Sequence, residues 1–310
     1  MEAVKYELQK INPIGYCVAK RDWLIYTTTL YDTPHIVLEI AKQRKMAFES
    51  AGVKLFHSID LDCFDTVVPQ QSQMFIWDSQ KEAIVGGYRY SYNMNIAPAQ
   101  SPMGEAFLFT DEFASQNWIQ LGRSFLSIDY QKNHYGVFAL MNGLGCLFAK
   151  ATNPEGFFGK ITIPVSYENN GATDLIVAFC RHYWLDGSYL GFVKNTCKKE
   201  SSSLVDLFIK HVDLHGKHQE LNHILKEEYK LPGIPILKIY DALVDGFKSI
   251  HYLGAFIHTD FGESTEIGMA IHKNNFNPKA VRAHIEPYLG GIYCMTANGR
   301  VYLVHFFCYL

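Results

Sequence analysis

Between Val37 and Phe48 the apolar positions Val37, Ile40, Ala41 and Phe48 recur at spacings of three and four, and Arg44 falls on the same face. That period predicts a helix. Thr33 before Pro34 reads as an N-cap followed by proline at the first helical position, and Ala51-Gly52 ends the helix after Ser50. Upstream, Trp23–Leu30 is apolar and β-branched and reads as a strand. Downstream, Leu55–Gln73 is irregular and acidic, and Ser72–Trp77 and Ala83–Tyr90 read as strands joined by a hairpin loop over Asp78–Glu82. Residues 91–117 form a long Pro-, Asn-, Ser- and Gly-rich excursion with local structure around Ala106–Glu112, and Ile119–Leu126 is a fourth strand.

The period returns to helical over Asn133–Lys150, where Tyr135, Val137, Phe138, Leu140, Met141, Leu144 and Phe148 make an apolar surface. Gly143 and Gly145 weaken that helix intrinsically, or let another segment approach its backbone closely. Gly159–Pro164 is a short strand, and Thr173 is placed to cap a helix reaching Tyr183. Residues 184–203 look like loop. Leu204–Val212, Gln219–Tyr229 and Ile236–Phe247 look helical, with Pro232 and Pro235 marking a boundary among them. His251–Thr259 and Glu266–His272 pair around Asp260–Ser264, where Asp260 beside Gly262 reads as a turn cap. Pro278–Tyr288 reads as one more helix. The tail Val301–Leu310 is almost wholly apolar, as a buried last strand or a membrane-touching end would be. This order predicts an α+β or mixed α/β fold rather than a doubly wound sheet.

The remaining bulk properties narrow the class. A chain of 310 residues with 48% hydrophobic content can bury a large core in one large domain or two modest ones. With 28 basic and 31 acidic residues the formal charge is −3, and no basic stripe suggests a nucleic-acid partner. The densest basic patch, Lys194 with Lys198 and Lys199, also fits a solvated loop. Cysteines at 17, 63, 146, 180, 197, 294 and 308 include no CxxC pair, which fits a reducing compartment without a zinc ribbon. The N-terminus lacks a signal-peptide pattern, and no window of about 20 apolar residues occurs. The cytoplasm is the expected location, with peripheral contact at the inner membrane face if the product is greasy.

Arg89 and Arg123 end two strands, and upstream lie Glu49 and the acids Asp60, Asp62 and Asp65. Such a set fits binding of a polar substrate, or equally a structural ion-pair network with Arg44 at a helix surface. Asp60 and Asp62 also suit loop caps, and Gln120 suits an internal hydrogen bond. The Asp60-x-Asp-x-x-Asp65 spacing lacks the glycine and terminal glutamate of a calcium loop, so no metal is expected.

Several segments in the right order carry a family resemblance. They are Arg44-Lys-Met-Ala-Phe-Glu49, Asp60-Leu-Asp-Cys-Phe-Asp65, Val85-Gly-Gly-Tyr-Arg-Tyr90, Ile119-Gln-Leu-Gly-Arg-Ser-Phe125 and Phe157-Phe-Gly-Lys-Ile-Thr-Ile163. They resemble the bacterial "putative hemolysin" group of the Gcn5-related N-acyltransferase (GNAT) superfamily, which includes ornithine- and glycine-lipid enzymes. The homoserine-lactone synthases are more distant relatives. Ile234–Tyr240 and Thr259–Gly262 resemble the C-terminal part of the lipid enzymes. The sequence departs from the family at Gln120, where a glutamate is usual, at Gly87, where a threonine is usual, and near Gln73, where a histidine is usual.

The resemblance implies a GNAT fold, a mixed central sheet flanked by helices. It further implies an N-acyltransferase core over residues 1–200 and a helical and β extension over 201–310 packed on that core. It implies transfer of a 3-hydroxy fatty acyl group from acyl carrier protein to the α-amine of an amino acid such as glycine or ornithine, in aminolipid synthesis. No cofactor is bound permanently. The donor is the acyl-phosphopantetheine of the carrier, since Ser127–Lys132 stands where coenzyme A enzymes carry a Gly-rich turn. On this basis Arg44, Phe48, Asp62, Arg89 and Arg123 are candidate substrate-binding residues, with Asp62 and Asp65 toward the amine and an arginine fork toward the carboxylate. Gln120 is a candidate catalytic position but cannot take a proton, so Glu49 or Asp65 becomes the candidate base. Lys194, Lys198 and Lys199 are the candidate carrier-docking patch. An impaired acyl-chain-binding protein and a coenzyme-A-dependent acyltransferase on another amine are the competing readings.

Overall fold

The computed structural model describes the chain except residues 54, 56, 68, 169, 195–197, 212–217, 245, 247–248, 259–262, 290, 296–300 and 306–310. Its strands are β1 (Gly15–Cys17), β2 (Lys20–Thr28), β3 (Ser72–Asp78), β4 (Ala83–Tyr92), β5 (Phe107–Phe109), β6 (Trp118–Leu126), β7 (Gly156–Ile163), β8 (Leu185–Asp186), β9 (Gly191–Val193), β10 (Lys198–Lys199), β11 (His251–His258), β12 (Ser264–His272), β13 (Gly291–Met295) and β14 (Val301–His305). The helices are α1 (Glu2–Leu8), α2 (Pro34–Ser50), α3 (Cys63–Thr66), α4 (Asp111–Ser115), α5 (His134–Lys150), α6 (Val165–Glu168), α7 (Ala172–Tyr183), α8 (Ser203–His211), α9 (His218–Glu227), α10 (Pro235–Leu243) and the single turn α11 (Pro278–Ala280).

One mixed sheet organises the molecule, in the order β1-β2-β3-β4-β6-β7-β12-β11-β10, with β8 beside β11. Side-chain alternation sorts its two faces. Ile25, Met74, Ile76 and Val85 meet Leu140, Leu144 and Leu147 of α5 in one cluster. Their neighbours Leu24, Tyr26, Phe75, Trp77 and Ile84 meet Ile36 and Ile40 of α2 in another. The sheet is thus covered on both faces, as the expected mixed α/β architecture requires. Strand β12 pairs antiparallel with β7 from Thr265↔Ile163 to His272↔Gly156, so β11 and β12 extend the same sheet. Strands β13 and β14 form a separate hairpin ladder. The tail thus contributes a strand over Val301–His305, and its last five residues, like Asp260 and Gly262, lie outside the described residues.

Two features position the site. Strands β6 and β7 run parallel, but their pairing extends only from Trp118↔Gly156 to Leu121↔Gly159. Beyond Leu121 the two strands part. On the other edge of β6, Gly87 pairs with Phe125 and Arg89 with Gly122, leaving Tyr88 opposite both Arg123 and Ser124. This is a β-bulge, and Arg123 takes a left-handed φ of 52° to make it. A side chain other than glycine there costs about 1–3 kcal/mol, which the surrounding contacts must offset.

Several local expectations need correction. Helix α2 starts at Pro34 with Thr33 in the N-cap position, as expected, but the Thr33 side chain makes no capping bond; its hydroxyl lies 2.6 Å from that of Thr28. The carboxylate of Glu7 instead accepts from the His35 and Ile36 N–H groups at 3.1 and 2.8 Å. Helix α7 begins at Ala172 after Gly171 in the left-handed region, and Thr173 is fully buried inside the first turn. The stretch 184–203 contains the short strands β8, β9 and β10 rather than loop alone. Pro278–Tyr288 is no continuous α-helix: α11 runs into a π-helical turn over Val281–Ile285 and a 3-10 turn over Glu286–Tyr288. That wide turn sets His284 against Phe138, with ring centroids 4.7 Å apart, and against the Asn142 amide at 2.8 Å.

The same contact explains Gly145. A Cβ there would lie 1.7 Å from the His284 carbonyl oxygen, so the glycine permits close approach. Alanine would gain about 1 kcal/mol of helix propensity at this position. Overpacking against backbone costs about 1–3 kcal/mol or more. Gly145→Ala is therefore expected to lower the melting temperature by several degrees; a value at or above the parent's would remove this contact from the constraints on the fold.

Candidate active site

Arg44 faces inward from α2, Arg89 from β4 and Arg123 from the bulge of β6, all on the α2 side of the sheet. The α2–β3 connection brings Asp60, Asp62 and Asp65 to meet them. Arg44 pairs with Asp60 and, at 3.4 Å, with Asp65. Arg89 pairs with Asp65 at 3.1 Å and Asp62 at 2.6 Å. Arg123 pairs with Asp62 at 2.9 Å and with Asp60. The six groups close an alternating ring in which each touches two of opposite sign. Gln73, at the position where a histidine was expected by resemblance, bridges it: its amide donates to Asp65 at 2.8 Å and its oxygen accepts from Arg44 at 3.1 Å.

Local structure fixes the acids. Asp62 caps α3 by accepting from the Phe64 N–H at 2.9 Å, and Asp65 accepts from the Asp62 N–H at 3.2 Å, completing a capping box. The loop-capping and ion-pairing readings of Asp62 are therefore both met by one side chain. Burial pushes the Asp62 carboxyl up, but Arg89 and Arg123 outweigh it and hold it well below the usual carboxylate range. The Asp65 side chain is completely buried and committed to two arginines.

Between the parted ends of β6 and β7 opens a cleft of about 800 Å³. Asp60, Asp62, Arg89 and Arg123 reach it from the ring, and Phe48, Phe64, Leu121, Phe125, Leu140 and Ile161 give it apolar walls. Gln120 also lines it, accepting hydrogen bonds from Gln71 at 3.3 Å and Ser91 at 3.4 Å rather than joining the ring. Glu49 is not brought to this cluster; its half-exposed carboxylate pairs with Lys45 at 2.7 Å. Lys194 donates to the carbonyls of Gly104 and Glu105 at 2.7 and 3.2 Å. Lys199 pairs with Glu168 and Asp174 at 3.3 and 3.5 Å. The Lys198 side chain lies outside the described residues. Among the described residues no group of His, Cys, Asp and Glu could hold a metal ion, and no helix is long and apolar enough to cross a membrane.

The sequence reading missed Lys160, Thr162, His258 and Glu266, which line the opposite wall of the cleft. A signal was present: Glu266 directly precedes the small and apolar run Ile267–Ile271 of a strand, and charged residues are almost never fully buried unless paired.

Residues 43–140 match the acetyltransferase (GNAT) domain family. The chain is 30% identical over 282 residues to a glycine N(alpha)-acyltransferase of Bacteroides thetaiotaomicron, covering 86% of this chain and 82% of that one. It is 28% identical over 281 residues to one of Phocaeicola vulgatus, covering 86% and 84%. The crystal structure of the AHL synthase LasI is similar over 85% of this chain and 96% of its own, at 10% identity and a TM-score of 0.42. A mixed sheet whose central parallel strands part around a cleft is that of a GNAT-fold acyltransferase. The chain belongs to this superfamily and, within it, to the family of the bacterial glycine N(alpha)-acyltransferases.

Removing one member of a buried ion-pair network strands its partners, at a cost of about 3–5 kcal/mol. Asp65→Asn is expected to lose that much in denaturant unfolding, whereas Glu49→Gln should change stability by less than about 0.5 kcal/mol, as exposed pairs do. Equal effects would deny the ring its structural role.

Asp62 gives a further, pH-dependent test. Its folded pKa is depressed, so its contribution is fully present above the ordinary carboxylate value of about 3.9 and disappears as pH falls through the lower folded value. Asp62→Asn should flatten the stability profile below about pH 4. An unchanged acid limb would show that Asp62 is not held by its arginines.

Proposed function

We propose that the protein transfers a fatty acyl group from acyl carrier protein to the α-amine of a free amino acid such as glycine or ornithine. The observation that carries this reading is the cleft. It joins an apolar channel, suited to an acyl chain, to a polar end beside a strand bulge.

The chemistry follows from those parts. The acyl chain lies along the apolar walls with its thioester carbonyl at the bulge. A bulge leaves an extra residue outside the ladder, and backbone N–H groups of Arg123 and Ser124 can polarise the carbonyl oxygen there. The amino acid enters as an ammonium and loses one proton to solvent. Its neutral nitrogen attacks the carbonyl carbon, the C–N bond forms, and the tetrahedral intermediate expels the pantetheine sulfur as the C–S bond breaks. The nitrogen gives up a second proton and the thiolate takes one, so the step releases amide, thiol and a net proton. No covalent enzyme intermediate is required.

In this reading the ring holds the wall that carries the bulge. Asp65, locked between Arg44 and Arg89, serves as a counter-ion rather than a base, and Glu49 lies too exposed on α2 to gain the burial that tunes a catalytic carboxylate. Gln120 serves to orient rather than to move a proton. Carrier protein is favoured over coenzyme A by the turn before α5. Asn133 caps that helix by accepting from the Tyr135 N–H at 2.9 Å, and Lys132 lines the cleft mouth. A helix N-terminus with one lysine suits the single phosphate of phosphopantetheine. The product is amphipathic, which supports peripheral contact with the inner membrane face.

Purified protein should form N-acyl amino acid from 3-hydroxyacyl carrier protein and a panel of amino acids, faster than from the acyl coenzyme A. Retained acyl chain without product across that panel would mark a binding protein instead.

Docking of the acidic carrier is assigned to Lys194, Lys198 and Lys199. Reversing Lys194, Lys198 and Lys199 to glutamate should raise KM for the acylated carrier several-fold and weaken its salt dependence, leaving KM for the amino acid unchanged. Equal effects on both substrates would return the patch to solvent.

A further inference from the structure

We infer that the amino acid is held on the wall opposite the arginine–aspartate ring, between Lys160 and Glu266. The inference rests on the acyl-transfer reading and names the acceptor subsite within the same cleft.

Sheet register puts the groups together. Glu266 of β12 pairs with Thr162 of β7, and Gly268 pairs with Lys160, so Lys160, Thr162 and Glu266 project from one face. On β11, Phe256 pairs with Glu266, which sets Phe256 and, two residues on, His258 on that face as well. The Lys160 ammonium lies 2.6 Å from Glu266 and 5.4 Å from the centre of the Phe256 ring. The Thr162 hydroxyl donates to the other Glu266 oxygen at 2.9 Å. All four polar residues line the cleft.

The two charged groupings differ in a way that decides between them. In the ring every arginine and every aspartate already meets two partners of opposite sign. An incoming carboxylate would compete with two aspartates for any of these arginines. Lys160 and Glu266 form a single pair, and among the described residues Glu266 is the one carboxylate that Lys160 meets. An ammonium offers three donors. An amino acid is itself one ammonium and one carboxylate on a single carbon. It can lie across this pair with its carboxylate on a further N–H of Lys160 and its ammonium toward Glu266, adding to the internal contact without breaking it.

The charge state agrees. Burial pushes the Glu266 carboxyl up, but Lys160 and His258 outweigh it and hold it below the ordinary glutamate value, so it is an anion at neutral pH. The pair also gives the strands after residue 250 a role: β12 supplies half of the acceptor subsite and β7 the other half.

The test uses the whole chain with acyl carrier protein as donor and glycine and ornithine as acceptors. Loss of a buried charge-assisted contact to substrate corresponds to about 10- to 100-fold in binding. Lys160→Met and Glu266→Gln are expected to raise KM for the amino acid by that factor. KM for the donor should stay within about twofold of the parent. Thr162→Val, which keeps the side-chain shape, should raise the amino-acid KM by a smaller factor with an unchanged melting temperature, and decides the question if the charge variants do not fold. Amino-acid KM values like the parent's, or equal rises for both substrates, would overturn the subsite. Absence of any product from the parent would instead overturn the acyl-transfer reading itself.

Discussion

Three arginines on three separate elements are held by three aspartates of the α2–β3 connection, and this ring builds one wall of the cleft. Ion groups out of water are costly, and attraction repays the cost only when every charge finds well-placed partners. Closure is what makes the arrangement tolerable: α2, β4 and β6 must all stand where the loop can reach them. Arg123 shows the constraint most directly. It occupies a left-handed backbone conformation, and its two aspartate contacts tie the bulged strand in place. A rigid bulge is also what polarisation of a carbonyl needs, since donors that must reorganise lose much of their effect.

The cleft then divides its labour between two walls. One wall is closed electrostatically and carries the bulge. The other carries Lys160 paired with Glu266, contributed by two strands that lie more than a hundred residues apart in sequence but share a register. The apolar lining between them accounts for an otherwise puzzling richness in aromatic and aliphatic side chains at a polar site.

Much of this was legible in the sequence where the signal is local. The spacing of Val37, Ile40, Ala41 and Arg44 gives α2 and its buried face correctly, because one helical period fixes both. The strands β3, β4 and β6 were visible from their apolar runs, and the family motifs placed Arg44, Arg89, Arg123 and the three aspartates in one site. Pairing of the arginines with these same acids was one of two readings the sequence left open, and spacing does not reveal which aspartate each arginine meets. Thr173 lies inside its helix rather than capping it, and Thr33 holds the N-cap position without a capping bond because Glu7, from another helix, reaches the first N–H groups of α2. The π-helical turn over Val281–Ile285 and its contact on Gly145 depend on how two distant segments pack, although the pair of glycines in α5 already hinted at a close neighbour. Lys160 and Glu266 escaped notice because each looks like a stray charge until the β7–β12 register joins them.

A crystal structure of the protein with glycine and a non-hydrolysable acyl-pantetheine analogue would test the central claim most directly. The carbonyl oxygen should lie within hydrogen-bond distance of the Arg123 or Ser124 N–H, with glycine between Lys160 and Glu266 and the six-membered ring intact. Glycine carboxylate bound to Arg89 or Arg123 with the ring opened, or an acyl chain outside the β6–β7 cleft, would contradict it.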